Sequence, residues 1–367
     1  MKILIITPKY LPQICGVGDH ARHLFEAFKE RNIDVSILTF DSTNHFDNGV
    51  YFCNGTKEAI DRIIRTHHFT DLLIEWTPNL WAKNGRSFNY PLFDICSLSK
   101  KSGIKIHTYI HEARYPIFSD LRGLFFGPRQ FLWLAKIINY SNTIFYSSEQ
   151  VEAQAKNIFL PVSLNHSIIP VSSNIYRVGQ RQINENAGII KMCVYARPHP
   201  TKLDSWNIDL VKSLCIKYEN IKFELYLIGV EEELEYSKID QYPNFKKICT
   251  GNLSESDLSI LLDESDILLS PYLDGVGTRR GGLFSGMAHE MKVVSNISKR
   301  SPKHYNWSDF LYAEEGYSHF LRMGHEAVSD VISKNDEKNI QALSAYNSFF
   351  SWGASVDKIL EGIKNSE

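Results

Sequence analysis

The sequence predicts an α/β protein built from two Rossmann-like parallel-sheet domains that face each other across a cleft. Three observations carry this. Short apolar runs alternate with helical-period segments. The alternation occurs twice along the chain. A polar stretch at residues 171–187, without sustained apolar period, separates the two halves. The strands lack apolar/polar alternation, as strands covered on both faces require. Two such sheets in tandem leave a cleft at their carboxyl strand ends, where α/β ligands bind.

Each element follows from its own pattern. Ile3–Ile6 is a strand, and Ala21, Leu24, Phe25 and Phe28 fall at helical spacing in a helix expected from about Asp19 to Arg31. Val35–Phe40, Leu72–Ile74, Ile104–Ile110 and Thr143–Tyr146 complete the first sheet. After the polar stretch, Ile189–Tyr195 is a strand, Ser205–Lys217 a helix, and Phe223–Ile228 a strand that ends on Gly229. Ser254-Glu255-Ser256-Asp257 reads as a capping box. Asp266–Leu269 and Val293–Ser295 are further strands, and Val356, Ile359, Leu360 and Ile363 mark an amphipathic closing helix. The domain bounds so read are 1–172, 188–345 and a terminal piece, 346–367.

Composition limits the function. The chain has 367 residues, suited to two domains, with 43% hydrophobic and 22% charged residues. A net charge of −2 supplies no global field for nucleic acid. Six scattered cysteines without a C-x-x-C pair read as free thiols in a reducing cytosol. No leader and no run of about 20 apolar residues is evident. A cytoplasmic protein follows, with the inner face of the membrane as the one surface it would touch.

The segment 268–282 is the most informative. A buried strand gives way to a loop with Asp274, Gly275, Gly277, Thr278, Arg279 and Arg280, then a helix opens at about Gly281 and Gly282. Glycines admit a close backbone approach, a helix start offers unpaired N–H groups, and two arginines and a hydroxyl add donors. That combination suits a diphosphate; the plain alternative is a solvated surface loop. Arg197 and Lys202, just past a strand end, supply a planar fork and a movable point charge for the same anion. No Asp-x-Asp pair is present to hold a metal, so none is expected. Departing charge would instead be stabilised by fixed cations and N–H dipoles.

Gly16-Val17-Gly18-Asp19-His20-Ala21 fits the dinucleotide pattern G-x-G-x-x-[GA]. Thr7–Cys15, a nine-residue loop, separates it from the first strand, which disfavours NAD and leaves the N–H groups of Gly16–Gly18 for a distal phosphate or sugar. Asp19 reads as an N-cap. His20 is either an acceptor-side base or a surface residue. His111 ends an apolar strand whose carboxyl end faces the cleft in this architecture; it is either a structural histidine, as His107 would be, or a hydrogen-bonding contact to a ligand hydroxyl, the role that the resemblance described below favours. Glu112 either contacts the acceptor or pairs with Arg114, and Glu75 at the end of another strand is a weaker acceptor-site candidate. Residues 121–136 are basic and aromatic; they either lie on an anionic membrane or form a core helix through Phe131, Leu134 and Ile138, with Arg122 and Arg129 exposed. The core reading is preferred.

Taken in order, these motifs resemble the retaining GT-B glycosyltransferases of family 4. The resemblance runs over nearly the whole chain: the Gly16-Val17-Gly18 loop, His111-Glu112, Arg197 with Lys202, Gly251-Asn252-Leu253 before the Ser254 helix, Asp274-Gly275-Val276-Gly277, and Phe350-Ser351-Trp352 opening the last helix. It implies that Gly251, Asn252 and Leu253 contact the base, and that the terminal helix crosses back onto the first domain. It also places Asp274 and Ser285 where the family has paired glutamates for donor sugar and ribose. Both positions depart from the family, so Thr278 and the arginines would take over part of the binding. The implied function is metal-independent, retaining transfer of a sugar from a nucleotide diphosphate sugar, a UDP-sugar before a GDP-sugar, to a glycan or lipid-linked acceptor in surface polysaccharide synthesis. No separate cofactor is expected. The same-face mechanism would use the leaving phosphate as the base. The alternatives are a non-catalytic sugar-nucleotide-binding protein and an NAD-dependent oxidoreductase.

Overall fold

The computed structural model describes residues 1–13, 15–83, 87–88, 91–113, 121–156, 165–179, 188–233 and 235–366, without the side chains of 83, 87, 88 and 121–126. The chain forms two units. The first comprises Met1–Val171 with Trp352–Glu367, the second Ser172–Ser351.

The strands of the first unit are β1 (Lys2–Ile6), β2 (Asp34–Phe40), β3 (His45–Asp47), β4 (Val50–Cys53), β5 (Asp71–Trp76), β6 (Ala82–Lys83), β7 (Ser87–Phe88), β8 (Lys105–Ile110), β9 (Thr143–Tyr146) and β10 (Asn165–Ile168). Its helices are α1 (Gly16–Glu30), α2 (Lys57–Thr66), α3 (Pro78–Trp81), α4 (Leu92–Lys101), α5 (Leu121–Tyr140) and α6 (Glu149–Lys156). One sheet runs β10-β9-β8-β5-β1-β2-β4-β3, parallel except for the β3–β4 hairpin. Its order reverses at β1, between β2 and β5, so the carboxyl ends of β1 and β5 border a topological switch point.

The second unit contains β11 (Ile189–Tyr195), β12 (Lys222–Ile228), β13 (Phe245–Cys249), β14 (Ile267–Leu269), β15 (Lys292–Ile297) and β16 (Tyr312–Glu315). Its helices are α7 (Asp204–Lys217), α8 (Glu255–Asp263), α9 (Gly281–Ala288), α10 (Trp307–Phe310), α11 (Tyr317–Ile332) and α12 (Glu337–Ala345). The order β13-β12-β11-β14-β15-β16 is parallel throughout, with its switch point between β11 and β14. Apolar side chains cover both faces of each sheet, which is why the strands read as continuous apolar runs.

The chain returns to the first unit in α13 (Trp352–Lys364), whose Trp352, Val356, Ile359 and Ile363 are buried against α1 and the sheet. The units divide at Val171 and Ser351, where the sequence suggested 172 and 345. Tyr346–Phe350 belongs to the second unit because Phe350 stacks on Phe284 at 4.5 Å and Trp307 at 5.5 Å. Residues 172–179, read as linker, are held to the second unit: Arg177 pairs with Asp263 at 2.9 Å and Glu290 at 2.5 Å, and the Val178 N–H donates to Ser259 Oγ. The remaining linker residues, 180–187, lie outside the described residues, as do Arg114 and the Arg122 side chain.

Helix α1 begins at Gly16, three residues before the expected start, with Cys15 as N-cap. Asp19 therefore sits in the first turn instead of capping it, and Gly16 and Gly18 are helical. No helix among the described residues is long and apolar enough to cross a membrane. The described part of α5 buries Leu134, Ile137 and Ile138 and exposes Arg129, Leu132 and Lys136; Phe131 is half-buried.

Candidate functional site

In the second unit, the loops at the carboxyl ends of β11 and β14 run beside each other. The Leu273 N–H donates to the Thr201 carbonyl at 2.7 Å and the Leu203 N–H to the Pro271 carbonyl at 3.2 Å. Lys202 bridges to Tyr272 across this pairing. Lys202 Nζ is nearly buried, 3.1 Å from Asp204 Oδ1. Arg280 Nη2 donates to Asp274 Oδ1 at 2.6 Å and to Thr201 Oγ1 at 3.0 Å, and its guanidinium lies 3.9 Å from the centre of the Tyr272 ring. His199 reports the field here. Its pKa is lowered by burial first, then by Arg280, Lys202 and Arg279, while Asp274 opposes them.

Arg197 belongs to a neighbouring cluster. Its Nη2 donates to Asn252 Oδ1 at 2.5 Å. Gly229 closes β12 at φ +90°, and a Cβ there would lie 3.1 Å from Arg197 Cγ and Nε, so the glycine makes room for the side chain. The Gly229 N–H donates to the Gly251 carbonyl, which brings Gly251-Asn252-Leu253 to the arginine. Ser254 caps α8 by accepting the Asp257 N–H at 3.1 Å.

The glycines of 275–282 divide by environment. A Cβ on Gly275 would strike Ser301 and Ser298, one on Gly281 would lie 3.2 Å from the Ser172 carbonyl oxygen, and one on Gly282 would fall 2.9 Å from the Tyr195 ring. Internal packing accounts for these three. Among the described residues, no atom beyond its chain neighbours comes within 4 Å of such a Cβ at Gly277, just before the α9 start. Thr278 is buried. Ser285 is fully buried, donating to the Gly282 carbonyl at 2.7 Å and meeting the Tyr195 hydroxyl at 2.6 Å, so its hydroxyl faces the unit's interior.

In the first unit, a Cβ on Gly16 would meet no described residue within 4 Å beyond its chain neighbours, whereas one on Gly18 would lie 2.8 Å from the Lys9 carbonyl oxygen. Three predicted residues meet at the switch point, from the start of α1 and the ends of β5 and β8. His20 Nδ1 lies 3.1 Å from Glu75 Oε2, and His111 Nε2 lies 2.5 Å from the same oxygen. Glu75 is fully buried. Desolvation raises its pKa, but His20 and His111 outweigh this and hold it at about 2. The rings of Tyr109 and Trp352 close over His20 at 4.5 and 5.0 Å. Glu112 follows, half-buried. His107 is a separate structural residue, buried against Asp71 at 3.1 Å. His20, Glu75 and His111 are also the one metal-capable cluster among the described residues, their ligand atoms all within 4.8 Å of one another.

Sequence reasoning missed His199, Thr201 and Tyr272. The Arg197–Lys202 run hinted at the first two, but nothing local shows that Tyr272 stacks beneath Arg280. The tight joining of His20, Glu75 and His111 was equally hidden, since 55 and 36 residues separate the partners.

No family model and no curated protein sequence matches the chain. Solved structures do. It is similar to Anabaena Alr3699/HepE in complex with UDP and glucose, at TM-score 0.65 and 12% identity over 100% of both chains. It is similar to the pneumococcal O-GlcNAc transferase GtfA in complex with UDP and GlcNAc, at TM-score 0.61 and 8% identity over 100% of this chain and 99% of that one. A putative UDP-N-acetylglucosamine 2-epimerase from Listeria monocytogenes reaches TM-score 0.51 at 10% identity over 100% and 96%. One fold thus accompanies more than one named chemistry, and activity has to be argued from residues. The likeness, with the two parallel sheets, identifies the fold of this chain as GT-B.

Proposed function

We propose that the chain is a glycosyltransferase that takes a sugar from a nucleotide diphosphate sugar, a UDP-sugar in preference to a GDP-sugar, and passes it to a glycan or lipid-linked hydroxyl. The observation that carries this is the pairing of the loops after β11 and β14, which sets Lys202 against Tyr272 and brings Arg280 onto Thr201 and Asp274, just before α9 starts. Arg197 lies next to the Asn252 turn. Four cations against Asp204 and Asp274 leave two positive charges, which suits a pyrophosphate. The neighbours captured with UDP and a sugar support the same reading.

In the proposed reaction the bond between the anomeric carbon and the diphosphate oxygen breaks, and its electron pair stays on the phosphate. The acceptor oxygen attacks from the same face, and its proton passes to the departing phosphate oxygen. Configuration is retained without a protein nucleophile. Arg197, Lys202 and the first N–H groups of α9 stabilise the developing charge, so no metal is required. Asp274 orders Arg280 in the resting protein and is the candidate for a donor-sugar contact. His111, with Glu75 behind it, is the candidate for another. We place the reaction on the cytoplasmic side, in surface polysaccharide synthesis; the buried free thiols Cys53, Cys96, Cys193 and Cys215 suit a reducing compartment.

A thermal-shift screen of UDP, GDP and their sugars tests donor binding, because a ligand of the native state raises Tm. UDP-sugars are expected to stabilise the protein most. Arg197→Ala and Lys202→Ala should each weaken UDP affinity by about tenfold or more, the loss of one charge-assisted contact. Unchanged affinity in both variants would remove the diphosphate assignment. Transfer should survive EDTA; activity lost to EDTA and restored by manganese would overturn the metal-free mechanism.

A further inference from the structure

We propose that His20, Glu75 and His111 form a binding site for one divalent transition-metal ion of the zinc type, separate from diphosphate binding. Two imidazole nitrogens and a carboxylate oxygen are a donor set that zinc takes readily, with a remaining position for water or another ligand. The three donors come from three elements, α1, β5 and the end of β8, and lie within 4.8 Å of one another. Bonds of about 2.0–2.1 Å to a tetrahedral ion place ligand atoms about 3.3 Å apart. The His20–Glu75 distance of 3.1 Å is close to that, and the 2.5 Å contact of His111 has to open by under about an ångström.

Charge balance argues in the same direction. Glu75 is wholly buried, and both histidines face its carboxylate, with no lysine or arginine paired to it among the described residues. A buried carboxylate demands a positive partner, which here is either a proton on an imidazole or a cation bound among the three side chains. The Trp81 indole N–H donates to the Glu75 carbonyl at 2.8 Å and fixes the backbone from which this ligand projects. One feature limits affinity. His20 Nε2 is buried and makes no hydrogen bond among the described residues, whereas a ligating histidine usually donates its second N–H. The site is therefore an exchangeable one. Its occupant would hold His20 and His111 away from any sugar, so zinc should inhibit transfer.

Chelator-stripped full-length protein titrated with zinc chloride near neutral pH, followed by calorimetry, tests this without reference to catalysis. One equivalent should bind. Glu75→Gln and His111→Ala should each weaken that affinity by at least about tenfold, while the exposed control His319→Ala, in the second unit, leaves it unchanged. His111 is 11% exposed, so its truncation keeps the test valid should the buried Glu75 variant fold poorly. Cobalt(II) should give the visible bands of a four-coordinate ion in wild type and lose them in His111→Ala. Absence of stoichiometric uptake, or uptake that both site variants retain, overturns the proposal. UDP binding by the stripped protein is read separately, so the fate of this site and that of the transferase reading are distinguishable.

Discussion

Among single residues, the structure separates polar groups engaged inside the protein from those left at its open loops. His23 illustrates the first case. It is fully buried, stacked on Trp352 at 5.1 Å, and its Nε2 accepts from Arg22 Nη2 at 3.1 Å. Burial, then Arg22 and His20, lowers its pKa from 6.5 to about 3. The unfolded chain therefore binds this proton more readily than the folded one. Stability linked to His23 is complete above pH 6.5 and is lost progressively as pH falls toward about 3. His23→Gln should flatten the slope of stability against pH in that window, measured by urea unfolding. An unchanged slope would contradict the burial of a neutral imidazole. Glu75 also has a depressed pKa, but as an acid: its contribution is present above the ordinary 4.5 and is lost as pH falls toward about 2.

At the scale of elements, the start of α1 separates two glycines that look alike in sequence. Among the described residues, a Cβ added at Gly16 would meet nothing within 4 Å beyond its chain neighbours, but one at Gly18 would fall 2.8 Å from the Lys9 carbonyl oxygen. Gly16→Ala should keep or raise Tm, since alanine favours a helix by about 0.5–1 kcal/mol over glycine. Gly18→Ala should lower Tm, because a backbone oxygen cannot move aside cheaply. Equal responses in a thermal melt would refute this reading of the turn. Gly277→Ala, in the second unit, should leave Tm nearly unchanged and act on UDP affinity instead. The apparent fingerprint at 16–21 is thus partly a packing requirement, which its regular spacing conceals.

At the scale of the whole molecule, the chain order and the spatial units differ. The first unit needs a helix made about 180 residues after the rest of it. Trp352, Val356, Ile359 and Ile363 are buried against α1 and the sheet, and Arg31 pairs with Asp357 at 2.7 Å. Four buried apolar side chains at about 2 kcal/mol each contribute on the order of 8 kcal/mol of gross burial energy, against which the ordering entropy of the helix is set. A chain ending at residue 351 should therefore lose the cooperative unfolding of its first unit while the second unit, 172–351, still melts as a unit. A single unaltered transition in calorimetry would show that α13 is dispensable.

Local pattern along the chain was enough to specify the class of fold. Period and apolar runs specify buried parallel strands, and hydrophobic burial is a property of nearly contiguous residues. It also singled out the segment proposed above for the diphosphate, since β14, the glycines, the arginines and the α9 start are neighbours in the chain. Short edge elements such as β3 and β16 were not legible, because three or four residues carry too little pattern. The tertiary structure alone decided which partners meet. It set Glu75 between His20 and His111, stacked Arg280 on Tyr272, turned Ser285 inward and returned α13 to the first unit. Those outcomes depend on strand order and crossover, which bring together groups far apart in the chain, and no local periodicity encodes that.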